Sequence, residues 1–240
     1  MTNLVMIPAF GCDERLYAEI APLLPSNVLS STVIADGPDF ATCVDQVLAQ
    51  APEQFVVLGT SFGGRVALET ASVAPDRVSA LVLLCAAAPG VAPTPDAESF
   101  DEEEERLLGA GDLDGAVELN VRTWLGPSAD ESARALVREM QARAFELDTA
   151  AEELSPAVEL RRPELDLAAL TMPALVVSGD HDLLFFRETA RHLAEHLPAA
   201  ELVSLDWAGH LPSLERPDET AALVTAHLDR VLLDGQTTTR

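Results

Sequence analysis

Gly59-Thr60-Ser61-Phe62-Gly63, the aspartates Asp180 and Asp182, and His210 are the residues of this chain whose types and spacing suit joint chemistry. A serine hydroxyl becomes a useful nucleophile when a base takes its proton, an acid orients that base, and amide donors meet the oxyanion that forms. Ser61 stands between Gln54 to Leu58, a short apolar run of strand character, and Arg65 to Ala74, where Val66, Leu68 and Val73 suit a helix. The serine therefore falls on a tight strand-to-helix turn with its hydroxyl pushed out of the sheet. Glycines flank it because a larger side chain would strike the neighbouring strand and helix. A helix start also favours developing negative charge. Five residues of this pattern arise readily by chance, so the surroundings must carry the argument.

Five histidines compete for the role of base. His210 lies in Asp206-Trp207-Ala208-Gly209-His210-Leu211-Pro212, after the last strand-like run and before the last helix. That is a loop at the carboxyl end of a parallel strand, the edge on which Ser61 also sits and on which such sheets build sites. His192 and His196 formally match an inverted zinc-peptidase pattern, but their segment reads as a solvated amphipathic helix with no natural third ligand. His227 belongs to the last helix as a structural residue, and His181 is too close to its flanking aspartates to be oriented by them. The acid comes from Val176-Val177-Ser178-Gly179-Asp180-His181-Asp182, with Asp182 preferred and Asp180 the alternative, better placed for turn hydrogen bonds.

Elements that position these residues follow from periodicity. Apolar strand-like runs occur at Leu4–Ile7, Val28–Ala35, Gln54–Leu58, Val78–Cys85, Ala174–Ser178 and Glu201–Leu205. Helical segments at Asp13–Leu24, Phe40–Gln50, Gly64–Ala74, Phe186–His196 and Pro217–Leu233 separate most of them. This alternation predicts a doubly wound α/β domain, with a mainly parallel sheet of about six strands covered on both faces. Between Pro89 and Arg162 the alternation stops and the chain reads helical, with Leu113, Val117 and Val121 on one face and Leu136, Met140 and Phe145 on another. The expected division is a core of 1–88 and 163–240 with a helical cap of 89–162 over the active face. The acidic run Asp101 to Glu105 reads as a solvated helix start.

Composition removes several function classes. A net charge of −25 is incompatible with the basic patch that nucleic acids or anionic membranes require. All fifteen basic residues are arginine, so lysine-dependent chemistry (a pyridoxal Schiff base, a phosphate-binding Walker loop, a Ser–Lys dyad) is excluded. No apolar stretch is long enough to span a bilayer. The first ten residues lack a basic leader region and a small-residue cleavage site, and three cysteines without paired spacing fit reduced thiols; both point to the cytoplasm.

With Ser61, Asp182 and His210 in that chain order, Gly209-His210 after the last strand, and the loop Ile7-Pro8-Ala9-Phe10-Gly11 after the first, the chain resembles the alpha/beta-hydrolase fold family over nearly its whole length. The resemblance implies a Ser61–His210–Asp182 triad, an acyl-enzyme intermediate and an oxyanion hole made by the Phe10 and Phe62 N–H groups, with no metal or organic cofactor. Family members usually carry His-Gly where this chain has Pro8-Ala9, which bears on how firmly Phe10 is held. The chain begins at the strand before that loop, hence six main strands instead of the family's eight.

The cap segments Asn120–Leu125 and Arg143–Leu147 look most like small esterases and the oxoadipate enol-lactonase group. On that likeness Arg122, Trp124 and Arg143 would recognise a substrate carboxylate, or else be surface and packing residues, and Trp207 would line the pocket. The expected activity is hydrolysis of a small-molecule carboxylic ester or lactone. A carbon–carbon bond hydrolase or perhydrolase with the same triad is an alternative, as is a ligand-binding sensor of negligible turnover.

Overall fold

The computed structural model describes residues 1–152 and 165–237. Within them β1 (Thr2–Ile7), β2 (Val28–Thr32), β3 (Phe55–Thr60), β4 (Val78–Leu84), β5 (Ala174–Gly179) and β6 (Ala200–Leu205) form a parallel sheet in the order β2-β1-β3-β4-β5-β6. The chain starts on β1, moves outward to the edge strand β2, then crosses back to β3 and proceeds strand by strand to β6. The order thus reverses between β1 and β3, and the crevice beyond their carboxyl ends is where an open α/β sheet binds ligands.

Burial explains which runs became which strands. β3 and β5 are buried at every position and read as continuous apolar runs, as central parallel strands should. The edge strands β2 and β6 are largely exposed. Alternate residues serve opposite faces: Leu4, Met6, Val56, Leu58, Val82 and Leu84 join one apolar core, Val5, Ile7, Val57, Leu81, Leu83 and Val176 the other.

Helices α1 (Phe40–Gln50), α2 (Phe62–Val73), α6 (Leu184–His196), α7 (Pro212–Glu215) and α8 (Pro217–Thr237) accompany the sheet. Asp39 caps α1 by accepting from the Thr42 N–H at 2.8 Å. One expectation fails: Asp13–Leu24 is not a helix but two short 3-10 turns, Glu14–Tyr17 and Ala21–Leu23. Pro22 has no N–H for a helical ladder, and the segment still buries Leu16, Tyr17 and Ile20. The predicted strand from Val28 ends at Thr32, where its partner β1 is about to leave the sheet at Pro8.

Between β4 and β5 lie α3 (Pro95–Gly109), α4 (Leu113–Trp124) and α5 (Glu131–Glu152). Their buried residues Leu107, Val117, Val121, Met140 and Phe145 extend the first of the two cores. The acidic run is not a helix start, because α3 begins at Pro95 and carries Asp101 to Glu105 in its middle. The expected cap boundary at 162 lies outside the described residues. The Leu184 N–H donates to Asp96 Oδ2 at 2.6 Å, tying the first turn of α3 to the start of α6.

Candidate active site

Ser61 occupies the turn between β3 and α2 with φ +54° and ψ −119°, a conformation that costs a non-glycine residue about 1–3 kcal/mol. Its own backbone holds it there: Ser61 N–H donates to Leu84 O at 3.1 Å, and Ser61 O accepts from the N–H groups of Gly64 (2.9 Å), Arg65 (3.2 Å) and Ala87 (2.9 Å). The two framing glycines are close-approach residues. A Cβ on Gly59 would lie 2.2 Å from the Gly63 carbonyl oxygen, and one on Gly63 would lie 2.1 Å from the Ile7 carbonyl oxygen. The turn is thereby pressed against the loop that follows β1. Beneath both, the Tyr17 hydroxyl donates to Ile7 O and accepts from Thr60 Oγ1, each at 2.8 Å, linking the ends of β1 and β3.

That contact brings the Phe10 and Phe62 rings to 6.3 Å, edge to face, with Phe62 stacked in turn on Phe40 at 5.6 Å. The Phe10 ring is exposed, while Gly11 beside it takes φ +71° and the Cys12 N–H closes a turn onto Ala9 O at 3.0 Å. The Arg65 guanidinium lies 4.8 Å from the Phe40 ring centre and pairs with Glu69, both buried.

From the other half of the sheet come the acid and the base. His210 Nδ1 lies 2.7 Å from Asp182 Oδ2, and both side chains are almost wholly buried. The second carboxylate oxygen accepts from the Leu183 N–H at 2.8 Å. An ionised carboxylate only accepts, so the His210 proton sits on Nδ1 and leaves Nε2 as the basic nitrogen. Asp180 and His181 are exposed, so of the two aspartates it is Asp182 that meets the histidine. The acid and histidine loops touch through backbone: a Cβ on Gly179 would lie 2.0 Å from the Gly209 carbonyl oxygen.

Ser61 and His210 line one cavity of about 140 Å³. Its helical walls are three i,i+4 pairs, Phe100 and Glu104 on α3, Asn120 and Trp124 on α4, Gln141 and Phe145 on α5, together with Phe186 on α6. Phe186 and Trp124 stand 4.2 and 4.6 Å from the His210 ring, and Phe100 stands 4.6 Å from Trp124. Cys12 also lines it, but burial pushes its thiol up to about 12, so it stays protonated and inert.

Not every expected binding residue reaches this space. Trp124 does. Arg122 and Arg143 are exposed and do not line the cavity, because each sits two residues from the cavity-facing pair of its helix, about 160° away around the axis. Trp207 faces elsewhere: the Arg216 guanidinium stacks over its ring at 4.9 Å, and its carbonyl accepts from Ser128 Oγ at 2.5 Å. It buttresses the histidine loop from outside.

Glu215 is a residue that motif reading passed over. Its two carboxylate oxygens accept from the Gly209 N–H at 2.8 Å and the Gly126 N–H at 3.0 Å, while His210 N–H donates to Trp124 O at 2.8 Å. The histidine loop and the end of α4 are thus clamped together. Burial pushes the Glu215 carboxyl up to about 7, against the pull of its amide donors. Its signal in sequence is slight: a lone Glu five residues after His210 and two before Pro217.

Cys85 Sγ, an Asp182 carboxylate oxygen and a His210 ring nitrogen lie within 4.8 Å of one another, the spacing of a metal-binding set. The Cys85 thiol is pushed well above its usual range by burial and by the Asp182 charge, and Asp182 Oδ2 is already engaged by His210. A cation there would have to remove a costly proton and break that pair. His192 and His196 lie 4.1 Å apart on α6 with their rings tilted by 36°, His196 Nδ1 is 2.8 Å from the His192 carbonyl oxygen, and no third ligand joins them among the described residues.

Comparison with known proteins identifies the family and the fold. The family model described as the alpha/beta hydrolase fold matches residues 29–217. The chain is similar to the pimeloyl-[acyl-carrier protein] methyl ester esterase of Klebsiella pneumoniae, 30% identical over 90% of this chain and 89% of that protein. The corresponding esterase of Aromatoleum aromaticum is 28% identical over 92% of this chain and 96% of its own length. Among solved structures, a thermophilic esterase from Thermogutta terrifontis superposes with a TM-score of 0.77 at 22% identity, covering 96% of this chain and 90% of that one.

Proposed function

The chain belongs to the alpha/beta hydrolase fold family and is a carboxylic ester hydrolase, and from that premise we propose that it cleaves a small-molecule ester or lactone with Ser61, His210 and Asp182. The observation that carries this reading is the buried Asp182–His210 pair at 2.7 Å, opening onto the same cavity as the strained Ser61. His210 Nε2 takes the Ser61 proton as Oγ attacks the carbonyl carbon. Asp182 keeps the imidazole in the required tautomer and stabilises its charged form. The Phe10 and Phe62 N–H groups meet the tetrahedral oxyanion; Phe62 opens α2, whose dipole adds to the effect. His210 then returns the proton to the leaving alcohol, and water activated by the same nitrogen releases the acid.

The helices between β4 and β5 act as the cap over a core formed by the sheet and the helices that flank it. A cavity of about 140 Å³ is close to the size that holds a benzene-sized guest, which favours a compact acyl or alkyl group. Among the described residues no helix is long and apolar enough to cross a membrane, and Cys12, Cys43 and Cys85 are free thiols, in keeping with a substrate met in the cytoplasm. The test is hydrolysis of p-nitrophenyl acetate by wild type and Ser61→Ala. We expect kcat to fall by about six orders of magnitude in the variant. Equal turnover in the two proteins removes Ser61 from the mechanism, and an inert wild type favours the sensor alternative.

A further inference from the structure

The cavity wall opposite the sheet is polar in a particular way. Trp124 Nε1–H, which can only donate, is satisfied by Asn120 Oδ1. This orients the amide, so Asn120 Nδ2 donates once to Ala116 O at 3.0 Å and once to Glu104 Oε1 at 2.5 Å. Every polar atom of Asn120 is thereby used. Glu104 is not exhausted: Asn120 occupies one oxygen, and among the described residues it has no cationic partner and no donor to the other oxygen. Burial, with Asp101 nearby, pushes its carboxyl up.

Gln141 completes the wall. It is 5% exposed, lines the same cavity, and its amide has no hydrogen-bond partner among the described residues. The amide lies against Gly11, and its donors and acceptor are open to a molecule in the cavity. No arginine lines the cavity among the described residues, and the chain has no lysine. Among the described residues the wall therefore offers acceptors and an amide, with no positive charge.

We infer that Glu104 and Gln141 form a substrate subsite for a group bearing hydrogen-bond donors, an ammonium or a hydroxyl, and that it discriminates against substrates ending in a carboxylate. This rests on the serine ester hydrolase reading and specifies its substrate class. An ammonium would give the half-buried Glu104 carboxylate the counter-charge it lacks, and a hydroxyl would donate to Glu104 while accepting from the Gln141 amide. A carboxylate would meet Glu104 as a like charge in a poorly solvated space. The recognition expected of Arg122 and Arg143 would have required the opposite specificity.

Binding to the Ser61→Ala protein separates this inference from the chemistry. Calorimetry is run with four matched ligands: the methyl esters of aminocaproic, hydroxycaproic and heptanoic acids, and monomethyl pimelate. We expect the ammonium ligand to bind most tightly, the hydroxyl next and the carboxylate most weakly, with about 100-fold between the extremes. In Ser61→Ala/Glu104→Gln the ammonium-to-carboxylate ratio should collapse to a few-fold. In Ser61→Ala/Gln141→Leu the hydroxyl ligand should lose its advantage over the methyl one. A flat ranking, tightest binding of the carboxylate, no binding of any ligand, or a ratio indifferent to Glu104→Gln overturns the subsite. Failure of the serine mechanism looks different, since Ser61→Ala would then hydrolyse the ligands during the titration.

Discussion

Two aspartates separated by one residue have opposite surroundings at the end of β5. Asp182 is buried with one oxygen on His210 Nδ1 and the other on the Leu183 N–H, whereas Asp180 is exposed. Asp182→Asn replaces an acceptor by a group that can donate, which favours the wrong imidazole tautomer. Ester turnover should fall by about four orders of magnitude, and Asp180→Asn should change it less than threefold. Steady-state kinetics on one p-nitrophenyl ester check both, and the reverse ranking moves the acid to Asp180. That Ser61, Asp182 and His210 converge was legible because each lies in the loop after a strand of one parallel sheet. Gln141 and Glu104 were not legible. A lone Gln in a polar helix and a Glu within an acidic run look solvated until Phe145 and Phe100, each four residues away, fix which side is inside. The same rotation turns Arg143 and Arg122 outward.

At the scale of elements, Glu215 joins three pieces of structure: its own short helix α7, the histidine loop at Gly209 and the end of α4 at Gly126. The unfolded carboxyl titrates near its usual 4.5, the folded one at about 7, so the folded protein keeps this proton where the unfolded chain has released it. The group therefore favours folding at low pH, and that contribution is lost as pH rises through about 7, an effect of about 3 kcal/mol over the window. Denaturant unfolding of wild type and Glu215→Gln at about pH 5 and about pH 8 isolates it. Wild type should lose about 3 kcal/mol more than the variant on going to the higher pH; identical pH dependence contradicts the assignment. Strand and helix order was readable from apolar periodicity because both faces of the sheet are covered. The segment Asp13–Leu24 misled for a local reason, since its helical spacing of apolar residues is real but Pro22 forbids the ladder.

Across the whole molecule, a parallel sheet whose order reverses between β1 and β3 gathers four loops at one edge, those bearing Phe10, Ser61, Asp182 and His210. The helices between β4 and β5 cover that edge and are fastened to it at several points, among them Asp96 to α6, Gly126 to Glu215 and Trp124 O to the His210 N–H. The net charge of −25 disfavours the approach of anionic ligands to the molecule as a whole, in the same sense as the role proposed for Glu104. The reaction class was legible from the order of motifs along the chain. Substrate preference was not, because it resides in which side of each cap helix faces inward. The central claim is that Ser61 is the nucleophile. Incubation with a fluorophosphonate, followed by peptide mass spectrometry, tests it most directly. We predict one stoichiometric adduct on the peptide containing Ser61, with loss of esterase activity in step and no adduct in Ser61→Ala. Labelling elsewhere, or full activity in the fully labelled protein, would contradict the account.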